Sequence, residues 1–134
     1  MKLASLDIGL KRIGVAFCFD NNIVLPQNAI LRKNRNQAAR DTSNLLKEWQ
    51  IEQIVVGLPK GGSSEEEMER RIKHFISLLD LGNIKVNYID ESYSSFEAKE
   101  QMKGIVKQKR DGRVDSISAK IILERYLEKI KAQS

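Results

Sequence analysis

Three β-rich runs fall within the first 32 residues, and after them helical and strand periodicities alternate along the rest of the chain. That order limits the fold more than any other feature. Lys2 to Leu6 and Ile13 to Phe19 are the first two runs, and Asn21-Asn22 marks a tight turn into the third, "IVLPQNAILR". Pro26 lacks a backbone donor, which confines the third run to a sheet edge or a bulge. From Asn34 to Trp49, Ala38, Leu45, Leu46 and Trp49 recur at helical spacing, and "IEQIVVGLP" then reads as a strand ended by Gly57 and Pro59.

"GGSSEEEMERRIKHFISLLDLGN" opens with a Ser cap and three Glu in the first turn and ends at Gly82, the signature of a helix with Met68, Ile72, Phe75, Ile76 and Leu79 on its apolar stripe. His74 falls off that stripe and reads as a solvated surface residue. "IKVNYI" is a fifth strand running directly into Asp90-Glu91. Ser94 or Ser95 caps a short helix through Met102, Gly104 breaks it, and a basic loop continues to Arg113. A final helix, "VDSISAKIILERYLEKI", carries the stripe Ala119, Ile122, Leu123, Tyr126, Leu127 and Ile130. Three meandering strands followed by helix–strand alternation predict an α/β fold: a five-stranded mixed sheet, antiparallel in its first three strands and parallel beyond, with helices on its faces.

At 134 residues the chain is long enough for one core and too short for two lobes around a cleft, so a single domain spanning 1–134 is expected. No run approaches the roughly 18 apolar residues that span a bilayer. "MKLASLDIG" has neither the apolar stretch nor the cleavage site of a signal peptide, and Cys18, the only cysteine, cannot form an internal disulfide. A cytoplasmic protein without a membrane partner is the expectation, with Cys18 a small core residue between two Phe. The 23 Lys and Arg against 18 Asp and Glu give a formal charge of +5. Much of the excess lies in "KEQMKGIVKQKRDGR", which contains Lys107, Lys109, Arg110 and Arg113, and in "RKNRNQAAR" from Arg32. Each stretch alone reads as a solvated surface; both beside an acidic site would suit an anionic partner.

Three carboxylates interrupt the pattern of their own segments. Asp7 ends the first strand, Glu91 follows the fifth, and Asp115 begins the last helix, four residues before Ala119 on the same face. Each has a plain alternative: Asp7 an Asx turn into Gly9, Glu91 a solvated loop residue, Asp115 an acid favoured by the helix dipole. Two carboxylates about 4 Å apart repel by roughly 4 kcal/mol at an effective dielectric of 20, so a converging set needs cations to stay ionised. With no His or Cys suitably placed, an all-oxygen site favours Mg²⁺ or Mn²⁺ over zinc. A pair of such ions activates water and stabilises the leaving oxygen in phosphodiester cleavage.

"LDIGLKRIGVA", "VVGLP", "DES" followed by "SSFEA", and "RVDSISAKIILERYLE" together resemble the YqgF family, also called RuvX, small bacterial proteins with a ribonuclease H-like fold. The resemblance covers Leu6 to about Leu127. It implies a metal-dependent nuclease on structured nucleic acid, with Asp7, Glu91 and Asp115 as catalytic and metal-binding residues. It places Arg12 near the scissile phosphate, Gly9 in a close turn beside Asp7, and Gly57, Leu58 and Pro59 in a loop beside the site. Family members are described as nucleases of precursor 16S rRNA and, earlier, as Holliday junction resolvases. Precursor rRNA is the expected partner, with branched DNA as the alternative substrate and a non-catalytic nucleic-acid binding or transcription factor as a rival of another class. The chain departs from the family at Ser92, where an Arg usually follows the Asp-Glu pair and would supply a phosphate contact. A resolvase would favour a homodimer, whereas end-trimming of RNA needs only a monomer.

Overall fold

The computed structural model describes residues 1–59, 65–90 and 116–133. Along these the elements are β1 (Leu3–Ile8), β2 (Arg12–Cys18), β3 (Leu25–Pro26), β4 (Ile30–Leu31), α1 (Arg35–Glu48), β5 (Gln53–Leu58), α2 (Glu65–Ser77), β6 (Lys85–Asp90) and α3 (Ile117–Gln133). The sheet order is β3-β2-β1-β5-β6, with β4 also paired to β2. The β1–β2, β2–β3 and β2–β4 pairs are antiparallel, and β5 is parallel to both β1 and β6. The mixed α/β sheet expected from the element order is therefore present.

Its apolar runs are nearly continuous because both faces of the central strands are covered. On one face Ala4, Leu6 and Ile8 of β1, Val15 and Phe17 of β2, and Ile54 and Val56 of β5 pack with Ala38 and Leu46 of α1 and Ile72 and Phe75 of α2. On the other, Leu3, Ala16, Cys18 and Val55 pack against Ala119, Ile122, Leu123 and Leu127 of α3. Strand alternation thus assigns Leu3, Ser5 and Asp7 to the α3 side. Cys18 is fully buried in that layer, as expected.

The third β-rich run is divided in two, giving six strands where five were expected. Pro26 pairs with Ala16 and Ile30 with Ile13, so the outer segment has an extra residue between these pairs, a bulge where proline interrupts the ladder. Helix α1 starts where its helical spacing begins, and a capping box fixes that start: Asn34 accepts from Gln37 N at 2.7 Å, and the Gln37 side chain reaches back to Asn34 N. Trp49 follows the helix as its C-cap and covers Phe17 and Phe19.

Two helix expectations are corrected. Helix α2 ends at Ser77 and not at Gly82, because the bonds Leu78 N to Phe75 O and Leu79 N to Ile76 O tighten its end into a turn. Gly82 instead occupies a left-handed turn before β6, with φ of +55°. Ile130 is 41% exposed and not part of the core, since the α3-side cluster stops at Leu127 against Leu3 near the start of β1. Ile117 and Ile121 are buried as well, which widens the helix's apolar face.

Candidate active site

Asp7 lies one residue before the end of β1, opposite Gly14 of β2. Leu6 pairs with Val56, so the next residue of β5 is Gly57, and the carboxylate has a glycine on each side within the sheet. Asp7 is partly buried by its accessible surface and strongly desolvated by the atoms packed around it, which raises its pKa above the ordinary 3.8. Among the described residues no hydrogen bond or ion pair reaches it. The Asx-turn reading is thereby excluded for the described residues: the turn is closed by backbone, Gly9 N donating to Arg12 O at 3.0 Å. A Cβ on Gly9 would lie 2.6 Å from that same oxygen, so the turn after Asp7 requires glycine.

The α3 N-terminus is tied to this end of the sheet by two buried serines. Ser5, between Leu3 and Asp7 on the same face, donates from Oγ to Ala119 O at 2.5 Å. Ser116 Oγ accepts from Val15 N at 3.0 Å, while Val15 O accepts from Gln27 N at 2.8 Å. The bulge that splits β3 from β4 leaves the Val15 donor without a ladder partner, and Ser116 takes it. Neither serine was picked out from the sequence. Ser5 had a signal, a polar residue within an apolar run and in phase with Asp7; Ser116, adjoining Asp115 at a helix start, had almost none.

Arg12 begins β2 as the diagonal neighbour of Asp7 on the same face, two residues from Gly14. Gly57 and Leu58 end β5, and Pro59 follows it. Leu58 is 6% exposed and its side chain belongs to the core on the opposite face, so only its backbone borders the Asp7 side. Glu91, Asp115, Lys107, Lys109, Arg110 and Arg113 lie outside the described residues, as do Ser92, the short helix expected through Met102 and the Ser cap before α2. Among the described residues there is no group of three His, Cys, Asp or Glu that could hold a metal, and Asp7 is the one member of the expected acidic set in place. His74 is exposed on α2, as its position off the stripe predicted. Among the described residues no helix is long and apolar enough to cross a membrane.

The fold is shared with structures that this chain hardly resembles in sequence. A Thermus thermophilus RuvC structure in complex with a Holliday junction superimposes with a TM-score of 0.64 at 9% identity, covering 100% of this chain and 98% of that one. The fowlpox virus resolvase in its junction complex gives 0.59 at 17% identity, covering 97% and 99%. These likenesses show a ribonuclease H-like fold. At the level of sequence, a relative from Sulfurovum sp. named "Putative pre-16S rRNA nuclease" is 68% identical over 127 residues, covering 95% of this chain and 98% of the relative. One of the same name from Sulfurimonas denitrificans is 53% identical over 127 residues, covering 95% and 97%. The family model described as "RuvX: Holliday junction resolvase" matches residues 1–129, and the chain belongs to the RuvX family.

Proposed function

We propose that this chain is a divalent-metal-dependent nuclease that cleaves phosphodiester bonds in structured RNA, acting in the cytoplasm on the ends of precursor 16S rRNA. The observation that carries the reading is Asp7: a desolvated carboxylate, flanked by glycines, with no cation or donor reaching it among the described residues. Such a group is stabilised by a metal ion at its open side, and its oxygen chemistry suits Mg²⁺ or Mn²⁺.

Asp115 and Glu91 are assigned as the other two metal-holding carboxylates. Asp7 lies two positions after Ser5, which is bonded to Ala119, and Asp115 immediately precedes in sequence Ser116, which is bonded to Val15; both bonds support this assignment. Glu91 follows β6 directly in sequence, two positions after Ile89, which packs on the α3 side. The bound metal would supply Lewis acidity for the attacking water and the leaving oxygen. Asp7 would hold its carboxylate fixed by the Gly9 turn, Ser116 would position the start of α3, and Arg12 would orient a phosphate from the same face. Lys107, Lys109, Arg110 and Arg113 would bind the strand's backbone through charge.

Cleavage of labelled precursor 16S rRNA ends and of a four-way DNA junction, with Mg²⁺, Mn²⁺ or EDTA, tests the reading. Metal-dependent cutting of RNA, lost in Asp7→Asn, supports it. Cutting of the DNA junction alone favours the resolvase reading, which the family model's description supports, and with it a homodimer in place of a monomer. Binding unaffected by EDTA with no cleavage of either substrate would indicate the non-catalytic binding factor.

A further inference from the structure

The basic stretch beginning at Arg32 is not merely a solvated surface. Its first two arginines, Arg32 and Arg35, meet Arg71 and His74 of α2 around a cleft of about 380 Å³ whose floor is the Gly9–Leu10 turn. The cleft lies on the α1/α2 side, immediately past the end of β1, and so adjoins the Asp7 site without sharing its face. Arg32 is held there from two sides. Its Nη1 donates to Gly9 O at 2.8 Å, and its guanidinium lies 5.2 Å from the centre of the Phe75 ring. Burial, and then the positive charge of Arg35, lowers its pKa, so the two guanidiniums repel each other. Arg71 pairs with Glu67 at 2.7 Å, while among the described residues no carboxylate pairs with Arg32 or Arg35.

We infer that this cleft binds a backbone phosphate of the nucleic acid, a short way along the strand from the bond cleaved at Asp7. Two guanidiniums without counter-ions among the described residues, one of them held by a carbonyl and an aromatic face, form a preorganised anion site. The span follows from the chain: Gly9 is two residues from Asp7, at most about 7 Å of extended backbone, and the Arg32 guanidinium lies 2.8 Å beyond its carbonyl. That reach is short enough for one strand to meet the cleft and the Asp7 site together. The inference rests on the reading that the chain acts on nucleic acid, and not on cleavage itself.

The test is fluorescence anisotropy of the full chain in EDTA with a labelled RNA hairpin bearing a single-stranded tail and, separately, a four-way DNA junction, over a salt series. Arg35→Glu is compared with Arg40→Glu, which makes the same charge change on α1 at a position that does not line the cleft. Arg35→Glu is expected to weaken binding about tenfold or more, the scale of one charge-assisted contact, and to reduce the slope of log K against log salt by about 0.7–0.9. Arg40→Glu is expected to leave the slope unchanged. Inorganic phosphate that competes as well as nucleic acid at equal phosphate concentration would overturn a backbone site in favour of a free-anion site. Equal losses and equal slopes for the two variants would also overturn it, as would a wild-type chain that binds neither probe. Should Arg35→Glu shift the urea midpoint, Arg71→Gln combined with His74→Gln carries the comparison. A slope effect in a protein that cuts neither substrate supports the cleft while refuting the nuclease reading; cleavage without the slope effect does the reverse.

Discussion

Replacing Asp7 by Asn removes a charge that folding takes out of water and leaves without a hydrogen bond or ion pair among the described residues. Because burial raises the carboxyl's pKa, the folded chain binds its proton more tightly than the unfolded chain does. Above both values the ionised group costs stability, and that cost disappears as pH falls toward its ordinary 3.8. The Asn amide is itself a buried polar group, so what the substitution relieves is the excess cost of the charge, which for a carboxylate that keeps some solvent access should be about 1–3 kcal/mol, below that of a fully buried unpaired ion. At pH 7 in EDTA, Asp7→Asn should therefore be more stable than wild type by about 1–3 kcal/mol, and the difference should close in acid. With Mg²⁺ at about 100 times its Kd, wild type should gain about 2.7 kcal/mol by linkage and the variant nothing, reversing their order or bringing them level. Urea denaturation of both proteins, with and without metal, at pH 7 and near pH 4, reads all three effects, and the same samples should show cleavage lost in the variant. A variant less stable than wild type in EDTA, or one that Mg²⁺ stabilises as much as wild type, would refute the argument that Asp7 is an unpaired metal-holding carboxylate.

Gly9→Ala places a Cβ 2.6 Å from the Arg12 carbonyl oxygen that closes the turn, so thermal or urea unfolding should show a loss of about 1–3 kcal/mol, with reduced cleavage. Ser116→Ala leaves the buried Val15 N–H without its acceptor and should cost about 1–3 kcal/mol. If Ser116 also positions the start of α3, the loss of cleavage should persist at temperatures where the variant is fully folded by circular dichroism. Phe75→Ala empties the fully buried ring site between α2 and the sheet and removes the face on which Arg32 lies. A loss of about 3–5 kcal/mol is expected by denaturant titration.

The order of elements could be read from the chain because each central strand is buried on both faces and each helix on one, so hydrophobic period and turn residues carried the information. The strand ending at Gly57 and Pro59 and the position of Cys18 in the core followed from local chemistry of that kind. The splitting of the third run at Pro26 was foreshadowed by its missing donor, but the one-residue bulge depends on how two segments register against β2. The end of α2 at Ser77 and the exposure of Ile130 depend on where neighbouring elements stop, which no local pattern records.

The candidate site divides in the same way. Sequence alone determined that Asp7 is a carboxylate where an apolar strand should not carry one, and motif likeness joined Glu91 and Asp115 to it. Only the tertiary structure decided that Asp7 has no partner among the described residues, that glycines flank it on both neighbouring strands, and that Ser5 and Ser116 bring α3 to its level. Only the fold, likewise, brings Arg32 and Arg35 to Arg71 and His74, more than 30 positions along the chain. A residue's period along its own helix or strand is encoded locally, whereas its partners across the sheet are chosen by packing between segments far apart in sequence, and both the unpaired carboxylate and the arginine cleft are properties of those partners.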